Sequence, residues 1–271
     1  FLEADNGGSK TLGPEEGQGS VNIKNLFGLE EQNAFSFSTT GQPKELQYGR
    51  YASRWLLGPD GTHLDLSASY SHTKPSGSVS ALDAVGHAFI ASGSVNYPVI
   101  RSRSENFTLS AGFTYLNSVT DLVGTEFSND RLRYLTVGAN YDAADTFFGD
   151  SYPAQNLVKA EYSQGFNIFG ESHTGSTNIS RANGHSDFSL LYAEAMRIQS
   201  LAGPVSLALS ASGQVSASPL LTSVQFGLGG NRFGRGYEPS ELVGDNGIAA
   251  SVEGRYDLSS ASGLFSQAQL N

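Results

Sequence analysis

An arginine between two glycines is the residue in this sequence with the most distinctive chemistry. Arg235 lies in the glycine-rich stretch FGLGGNRFGRGYEPSELVGDNG, at positions 226 to 247. A guanidinium can donate two parallel hydrogen bonds to one carboxylate, and glycine adopts backbone angles that other residues resist. The flanking glycines are therefore expected to let the backbone approach another part of the protein closely, so that Arg235 can bind a carboxylate there.

Patterns typical of enzymes and metal sites do not occur. In DNGGSKT, positions 5 to 11, Ser9 stands where a phosphate-binding loop needs a glycine, so this stretch is predicted to be a turn after the first strand. A Gly-x-Ser-x-Gly nucleophile elbow is missing as well. The acidic pairs Glu30/Glu31 and Asp142/Asp145 are predicted to be solvated turns rather than calcium ligands. We expect no catalytic residue, no metal and no cofactor.

The histidines support the same expectation. They lack the i, i+4 spacing and the carboxylate companions of a zinc site. The sequence spreads them over predicted turns and strand ends: His63, His72, His87, His173 and His185.

Composition excludes several further classes. Of 271 residues, 38% are hydrophobic and 32 are glycines, which favours a folded all-β protein over a disordered or helical one. A net charge of -10 argues against a nucleic-acid partner, and the lack of cysteine excludes a disulfide scaffold. No apolar run of about 18 residues is present, so a transmembrane helix is not expected.

Alternation of apolar and polar residues is the dominant pattern. In NFTLSAGFTYLNS, Phe107, Leu109 and Phe113 share one face of a strand, while Thr108 and Ser110 share the other. Segments of this kind recur with lengths of about 9 to 14 residues, enough to cross a bilayer at a tilt. Turn clusters such as GPDG, TKPSG and SNDR separate them. We count about 13 strands in one domain.

The polar face of one such segment is charged. In IAASVEGRYD, Glu253, Arg255 and Asp257 share a face, which is too much charge for the packed interior of a soluble sandwich. A water-filled lumen accommodates these groups. The expected fold is therefore an all-β, transmembrane antiparallel β-barrel.

Aromatic and basic residues fit this fold in ways that the sequence leaves open. Aromatics near strand ends suit the girdles at the two lipid interfaces, although ordinary β-propensity also explains them. The arginines occur in sets that share a strand face, and they line either the lumen or a rim. The aromatics are Tyr51, Trp55, Tyr70, Tyr97, Tyr115, Tyr141 and Tyr162, and the arginines are Arg50, Arg54, Arg101, Arg103, Arg131 and Arg133.

The glycine-rich stretch resembles the signature loop of the two-partner secretion transporters (TpsB family, haemolysin secretion/activation proteins), relatives of the outer-membrane protein insertases. The loop motif comprises Gly229, Gly230, Phe233, Arg235, Gly236 and Tyr237. Gly234 departs from the family, which more often has valine there. The resemblance extends along nearly the whole chain, through NYPVIRSRSENFTL, RLRYLTVGANYD, SGQVSASPLLTSVQFGLGG and GDNGIAASVEGRYD.

This resemblance implies a bacterial outer-membrane barrel of about 16 strands, preceded by periplasmic POTRA domains and a plug helix. Residues 1–271 would be part of the barrel, from its first strand to near the thirteenth, with the POTRA domains and the final strands outside this chain. The ending GLFSQAQLN stops within an alternating segment. The signature loop would follow about the eleventh strand and fold back into the lumen.

The resemblance also implies a function. A large partner exoprotein (TpsA-like) would pass unfolded through the pore, which would sit in outer-membrane lipids as a monomer. Arg235 would hold the loop to a wall aspartate beyond Asn271, with Glu253 and Asp257 as less favoured alternatives. The rival interpretations are an outer-membrane protein insertase of the same superfamily, a passive diffusion porin and, with no catalytic residues to support it, a phospholipase in a barrel.

Overall fold

The computed structural model describes residues 1–5, 12–230 and 232–257, and nearly all of its regular structure is β-strand. Two short 3₁₀ turns occur at Gly77–Leu82 and Thr222–Val224. No helix in the described ranges is long and apolar enough to cross a membrane. The strands are β1 (Leu2–Asp5), β2 (Glu16–Lys24), β3 (Gln32–Thr40), β4 (Leu46–Leu56), β5 (His63–Thr73), β6 (Val85–Arg101), β7 (Glu105–Leu122), β8 (Thr125–Asp145), β9 (Ala154–Gly165), β10 (Ser189–Ser200), β11 (Val205–Ser216), β12 (Phe226–Leu228), β13 (Leu242–Gly244) and β14 (Gly247–Tyr256).

Twelve of these strands form one antiparallel sheet, in the order β1 to β11 followed by β14. The all-β antiparallel fold is thus confirmed, and over the described residues the sheet does not close on itself. A thirteenth barrel strand and the ending GLFSQAQLN would fall at positions 258–271, outside the described residues. The NGGSKT part of the predicted first turn, at positions 6–11, lies outside them as well.

Strand register defines two faces of this sheet. Glu194 on β10 lies opposite Ser212 on β11, which lies opposite Ala249 on β14, so these residues share one face. Glu253 follows Ala249 at an even spacing and shares that face, which we call the lumenal face. The outer face is mostly apolar, and its side chains are exposed even in the middle of the sheet, where Leu135 is 47% and Val137 54% exposed.

All the aromatics proposed for the girdles lie on the outer face. The pairing places Trp55, Tyr97 and Tyr141 toward one end of the strands and Tyr70 and Tyr162 toward the other. Two levels of aromatics are the arrangement expected at the two interfaces of a bilayer. The alternation of the sequence therefore fixed the orientation of these side chains correctly.

The two ends of the sheet differ in their connections. Short turns join the strands at the end that we call the lower rim: 25–31, 57–62, 102–104, 146–153 and 201–204. The connections 166–188 and 217–246 lie at the opposite end, the upper rim, and are much longer. Transmembrane barrels combine short periplasmic turns with longer extracellular loops, so this asymmetry fits the expected fold.

At the upper rim, the two long connections pack against strands that extend beyond their neighbours. Ile179, Leu220 and Leu221 form a buried cluster with Leu116 on β7 and Leu132 on β8. The amide of Ser172 donates to the carbonyl of Arg131 at 2.9 Å, and that of Phe166 to the carbonyl of Arg133 at 2.8 Å. Segment 166–172 therefore runs beside the upper part of β8.

The arginine sets turn out to have different positions. Arg50 and Arg54 lie on the lumenal face, and Arg54 makes two hydrogen bonds to Asp65, of 2.7 and 2.9 Å. Arg133 lies on the outer face and is only 1% exposed, with its guanidinium 3.3 Å from the centre of the Tyr115 ring. The lumenal interpretation thus holds for Arg50 and Arg54, whereas Arg133 neither lines the lumen nor faces water at a rim.

The prediction that the acidic pairs are solvated turns is wrong for three of the four residues, since Asp142 and Asp145 lie within β8 and Glu31 is buried. Glu31 is 0% exposed because backbone amides of the turn 25–31 surround its carboxylate. Asp145 binds Arg197 at 2.7 Å. Glu31 and Asp145 each accept hydrogen bonds from groups that the fold holds in place. The sequence of an acidic pair does not show that such donors are nearby.

Candidate latch site in the lumen

The signature loop is built on a short ribbon. Strands β12 and β13 pair antiparallel, with Phe226 opposite Gly244 and Leu228 opposite Leu242. Between them the tip folds on itself, because the Gly229 amide donates to the Phe233 carbonyl at 3.0 Å and the Gly230 amide to the Tyr237 carbonyl at 3.1 Å. These bonds give the arginine-bearing tip a defined shape. Phe233 is 8% exposed, whereas Tyr237 is 63% exposed.

The glycines of the tip act differently from the expectation. Gly234 has φ +93°, which strongly disfavours a valine, so its departure from the family motif matches its backbone. A Cβ on Gly236 would meet no atom within 4 Å, and one on Gly234 would first meet Tyr237 of the same loop. The idea that both glycines permit close approach to the wall is therefore wrong. Close approach occurs at Gly229, where a Cβ would lie 2.1 Å from the Glu238 carbonyl oxygen.

Arg235 binds the lumenal wall at Glu253. Its Nη2 lies 2.6 Å from Glu253 Oε1, and the second oxygen of that carboxylate lies 3.3 Å from Nη2 of Arg255. Glu253, one of the two less favoured partners predicted for Arg235, is thus the residue that Arg235 contacts. Asp257 lies farther along the strand, where its amide donates to the Pro204 carbonyl at the lower rim. An aspartate beyond Asn271 stays a prediction.

A second arginine of the loop, which the sequence motif does not include, also binds the wall. Arg232 forms an ion pair with Glu194 on β10, and Tyr192 donates a hydrogen bond of 2.8 Å to the other oxygen of that carboxylate. The hydrogen bond to Glu194 raises the pKa of Arg232. Alternation in LLYAEAMRIQ places Glu194 on the polar face of its strand, and this pattern could have identified Glu194 as a wall carboxylate for a loop arginine.

The two contacts lie on either side of β11. Glu194 belongs to β10 and Glu253 to β14, and both strands pair with β11. The loop therefore leaves the upper rim, descends along the lumenal face and is held by arginines at two neighbouring positions of the wall.

The base of the loop is fixed by Asp245. Its Oδ1 accepts hydrogen bonds from Arg181 at 2.5 Å, from Gln225 at 2.9 Å and from the Leu220 amide at 3.1 Å. Burial alone would raise the pKa of Asp245, but these donors outweigh it and lower the pKa. The base thus joins the upper-rim connections 166–188 and 217–246.

Within the described parts of the chain, no cluster of three or more His, Cys, Asp or Glu side chains could hold a metal ion. The histidines are not as scattered as the sequence suggested, since the rings of His72 and His87 lie 4.8 Å apart on neighbouring strands. Tyr70 bridges to this pair through a 2.9 Å contact with His87 Nδ1.

The family model described as "Haemolysin secretion/activation protein ShlB/FhaC/HecB" matches residues 1–264. Among solved structures, CdiB from Escherichia coli is similar at 19% identity and a TM-score of 0.80, over 98% of this chain and 48% of its own. CdiB from Acinetobacter baumannii is similar at 18% identity and a TM-score of 0.63, over 94% of this chain and 45% of its own.

BamA from Haemophilus ducreyi lacking POTRA domains 1-3 is similar at 11% identity and a TM-score of 0.61, over 94% of this chain and 52% of its own. The chain spans about half the length of these structures. At such identities the structures establish a common fold. The search of curated proteins found no match.

Proposed function

This chain belongs to the haemolysin secretion/activation protein family ShlB/FhaC/HecB, and from that membership we propose that it forms part of a pore that secretes a large partner exoprotein. The family and the fold indicate a bacterial outer-membrane transporter. In our proposal the exoprotein passes unfolded through the lumen, and residues 1–271 belong to the barrel. The barrel acts as a monomer, surrounded by outer-membrane lipids, and carries no catalytic site.

The observation that carries the proposal is the signature loop bound to the lumenal wall. Arg235 contacts Glu253 and Arg232 contacts Glu194, so the loop occupies space that a passing chain needs. A diffusion porin has no need of a loop that must move, whereas a gated protein pore does. We therefore assign Arg235 as the latch that holds the loop and Tyr237, which is exposed beside it, as part of the moving tip.

The strength of this latch suits a gate. The side chains of Arg235 and Glu253 are 51% and 24% exposed, and an ion pair of this exposure contributes only about 0–1 kcal/mol. A few such contacts hold the loop in place without locking it. The sequence has no nucleotide-binding motif, so in this proposal folding of the exoprotein outside the cell draws it through the pore.

Replacing the latch arginine tests the proposal. We expect Arg235→Ala in the full-length protein to leave the barrel inserted and to lower secretion of one large exoprotein, because a tip without its contact with Glu253 no longer takes the defined position from which the pore is gated. The measurement is mass spectrometry of culture supernatants from the deletion strain, complemented with wild type or with the variant. Arg50→Ala, on the lumenal face of β4, is the matched control.

The supernatants distinguish the rivals. Normal secretion by Arg235→Ala would contradict the latch, and an unchanged supernatant in the deletion strain would contradict secretion altogether. Depletion of many outer-membrane proteins in the deletion strain would identify an insertase, to which the BamA-like fold is equally suited.

A further inference from the structure

Each wall glutamate that binds a loop arginine also has a cation of the wall beside it. Lys159 on β9 lies directly opposite Glu194 in the strand register, and its Nζ is 2.8 Å from Glu161 on its own strand. Arg255 lies two residues after Glu253 and shares that carboxylate with Arg235. A wall cation therefore lies near the glutamate on both sides of β11, bound to a neighbouring glutamate in the case of Lys159 and to Glu253 itself in the case of Arg255.

These wall cations matter because the glutamates are poorly solvated. The side chain of Glu194 is only 12% exposed and that of Glu253 is 24% exposed. Without its loop arginine, Glu194 would keep the hydrogen bond from Tyr192 but would lose its cation, which is destabilising at this exposure. Glu253 would keep its contact with Arg255 and would lose less.

Both wall cations can reach the vacated carboxylates. Side chains directly opposite on paired strands have Cβ atoms about 4.5–5.5 Å apart, well within the length of a lysine. Arg255 already touches Glu253, and its buried Nε donates no hydrogen bond within the described part of the chain. A small rotamer change in each case would restore a complete ion pair.

We propose that Lys159 and Arg255 replace the loop arginines on Glu194 and Glu253 when the signature loop is displaced, so that the pore opens by exchanging ion pairs. Lys159 then lies between Glu161 and Glu194, and Arg255 takes both oxygens of Glu253. Both are positioning residues that act through the wall glutamates. The inference rests on the proposed function only in that a pore must displace this loop.

Loop displacement can be measured without secretion. This chain contains no cysteine, so spin labels can be attached at Gly236→Cys on the tip and Ala202→Cys in the turn 201–204 of the full-length protein in liposomes, with any cysteine outside residues 1–271 replaced by serine. Electron paramagnetic resonance distances then give the fraction of displaced loops. The Arg235→Ala background, in which the tip loses its contact with Glu253, raises that fraction to a measurable level.

In this background we expect Lys159→Met to lower the displaced fraction about fivefold, because Glu194 can no longer exchange partners. Lys159→Arg should leave the displaced fraction of the Arg235→Ala background unchanged. This variant shows that an effect of Lys159→Met comes from the lost charge and not from a folding defect. With Glu194→Gln, Lys159→Met should have no further effect. Arg50→Met, a lumenal cation on β4, is the control and should change nothing.

Three outcomes would overturn the exchange: an unchanged displaced fraction in Lys159→Met, an equal effect of that substitution in the Glu194→Gln background, or a single loop position in every variant. A protein that shows the charge-dependent displacement but secretes no exoprotein would contradict the proposed function and still support the exchange.

Discussion

At the scale of the residue, Glu31 shows how a turn at the lower rim is held. Its carboxylate accepts hydrogen bonds from the Phe27 amide at 2.7 Å, the Leu29 amide at 3.1 Å and Asn33 Nδ2 at 2.9 Å. Asn33 in turn accepts from the Tyr51 hydroxyl at 2.7 Å. Burial would raise the pKa of Glu31, but these donors outweigh it and lower the pKa to about 2.

This depressed pKa makes the turn sensitive to acid. Because the folded pKa lies below the ordinary value of 4.5, the carboxylate stabilises the turn above about pH 4.5 and loses that effect as the pH falls toward 2. We expect Glu31→Gln to lower the hydrogen-exchange protection of the Phe27 and Leu29 amides at neutral pH, as acid does in the wild type.

The neighbouring glutamate supplies the control for this prediction. Glu30 is exposed, so Glu30→Gln should leave the protection of both amides unchanged. Equal protection in Glu31→Gln and wild type would show that the carboxylate does not hold the turn. The burial of Glu31 is hard to predict from sequence, because its main donors are backbone amides. Their positions depend on how the turn folds and not on which residues it contains.

At the scale of the element, the ribbon of β12 and β13 is fitted against the wall at Gly247. A Cβ on Gly247 would lie 2.3 Å from the Phe226 ring, so the first residue of β12 packs on the backbone of β14. The ribbon enters the lumen from this contact. Its position therefore depends on a glycine that lies outside the loop motif.

We expect Gly247→Ala to displace Phe226 and loosen the ribbon while the sheet stays intact, because only the side of β14 that faces the ring is crowded. The measurement is the distance between spin labels on the loop tip and on the turn 201–204, which should broaden. Gly254→Ala is the matched control, since a Cβ there would meet no atom within 4 Å. A sharp, unshifted distance in Gly247→Ala would contradict this packing.

The elements differ in how far their sequence predicts them. Period-2 alternation predicted the strand faces, because one face must be apolar and the other wet. It did not predict the strand lengths, since the predicted turn SNDR lies within β8, which has 21 residues. It could not determine how segment 166–188 packs, since a connection without periodicity is placed by tertiary contacts such as Ile179 on Leu132. The loop motif predicted the arginine site but not Arg232, which lies outside the matched letters.

At the scale of the whole molecule, the exposed apolar residues of the outer face favour a lipid environment in our proposal. Val137, in the middle of the sheet, is 54% exposed, and large exposed apolar surfaces are rare on soluble monomers. Trp55, the sole tryptophan of this chain, lies on that face at the lower level of aromatics. Its ring stacks on Phe27 with centroids 6.0 Å apart. Trp55 can therefore show whether a bilayer interface lies at this level.

We expect the fluorescence of Trp55 to be quenched by brominated phospholipids, and more by bromines near the headgroup than by bromines near the chain ends, because indole rings occupy the bilayer interface. Subtracting the signal of Trp55→Phe in the full-length protein isolates this residue from tryptophans elsewhere. Strong quenching by aqueous acrylamide without any effect of brominated lipid would place Trp55 in water and contradict the lipid-facing assignment. Quenching deepest near the chain ends would put the lower level of aromatics inside the hydrocarbon, so the bilayer boundary would lie closer to the turns 25–31 and 57–62.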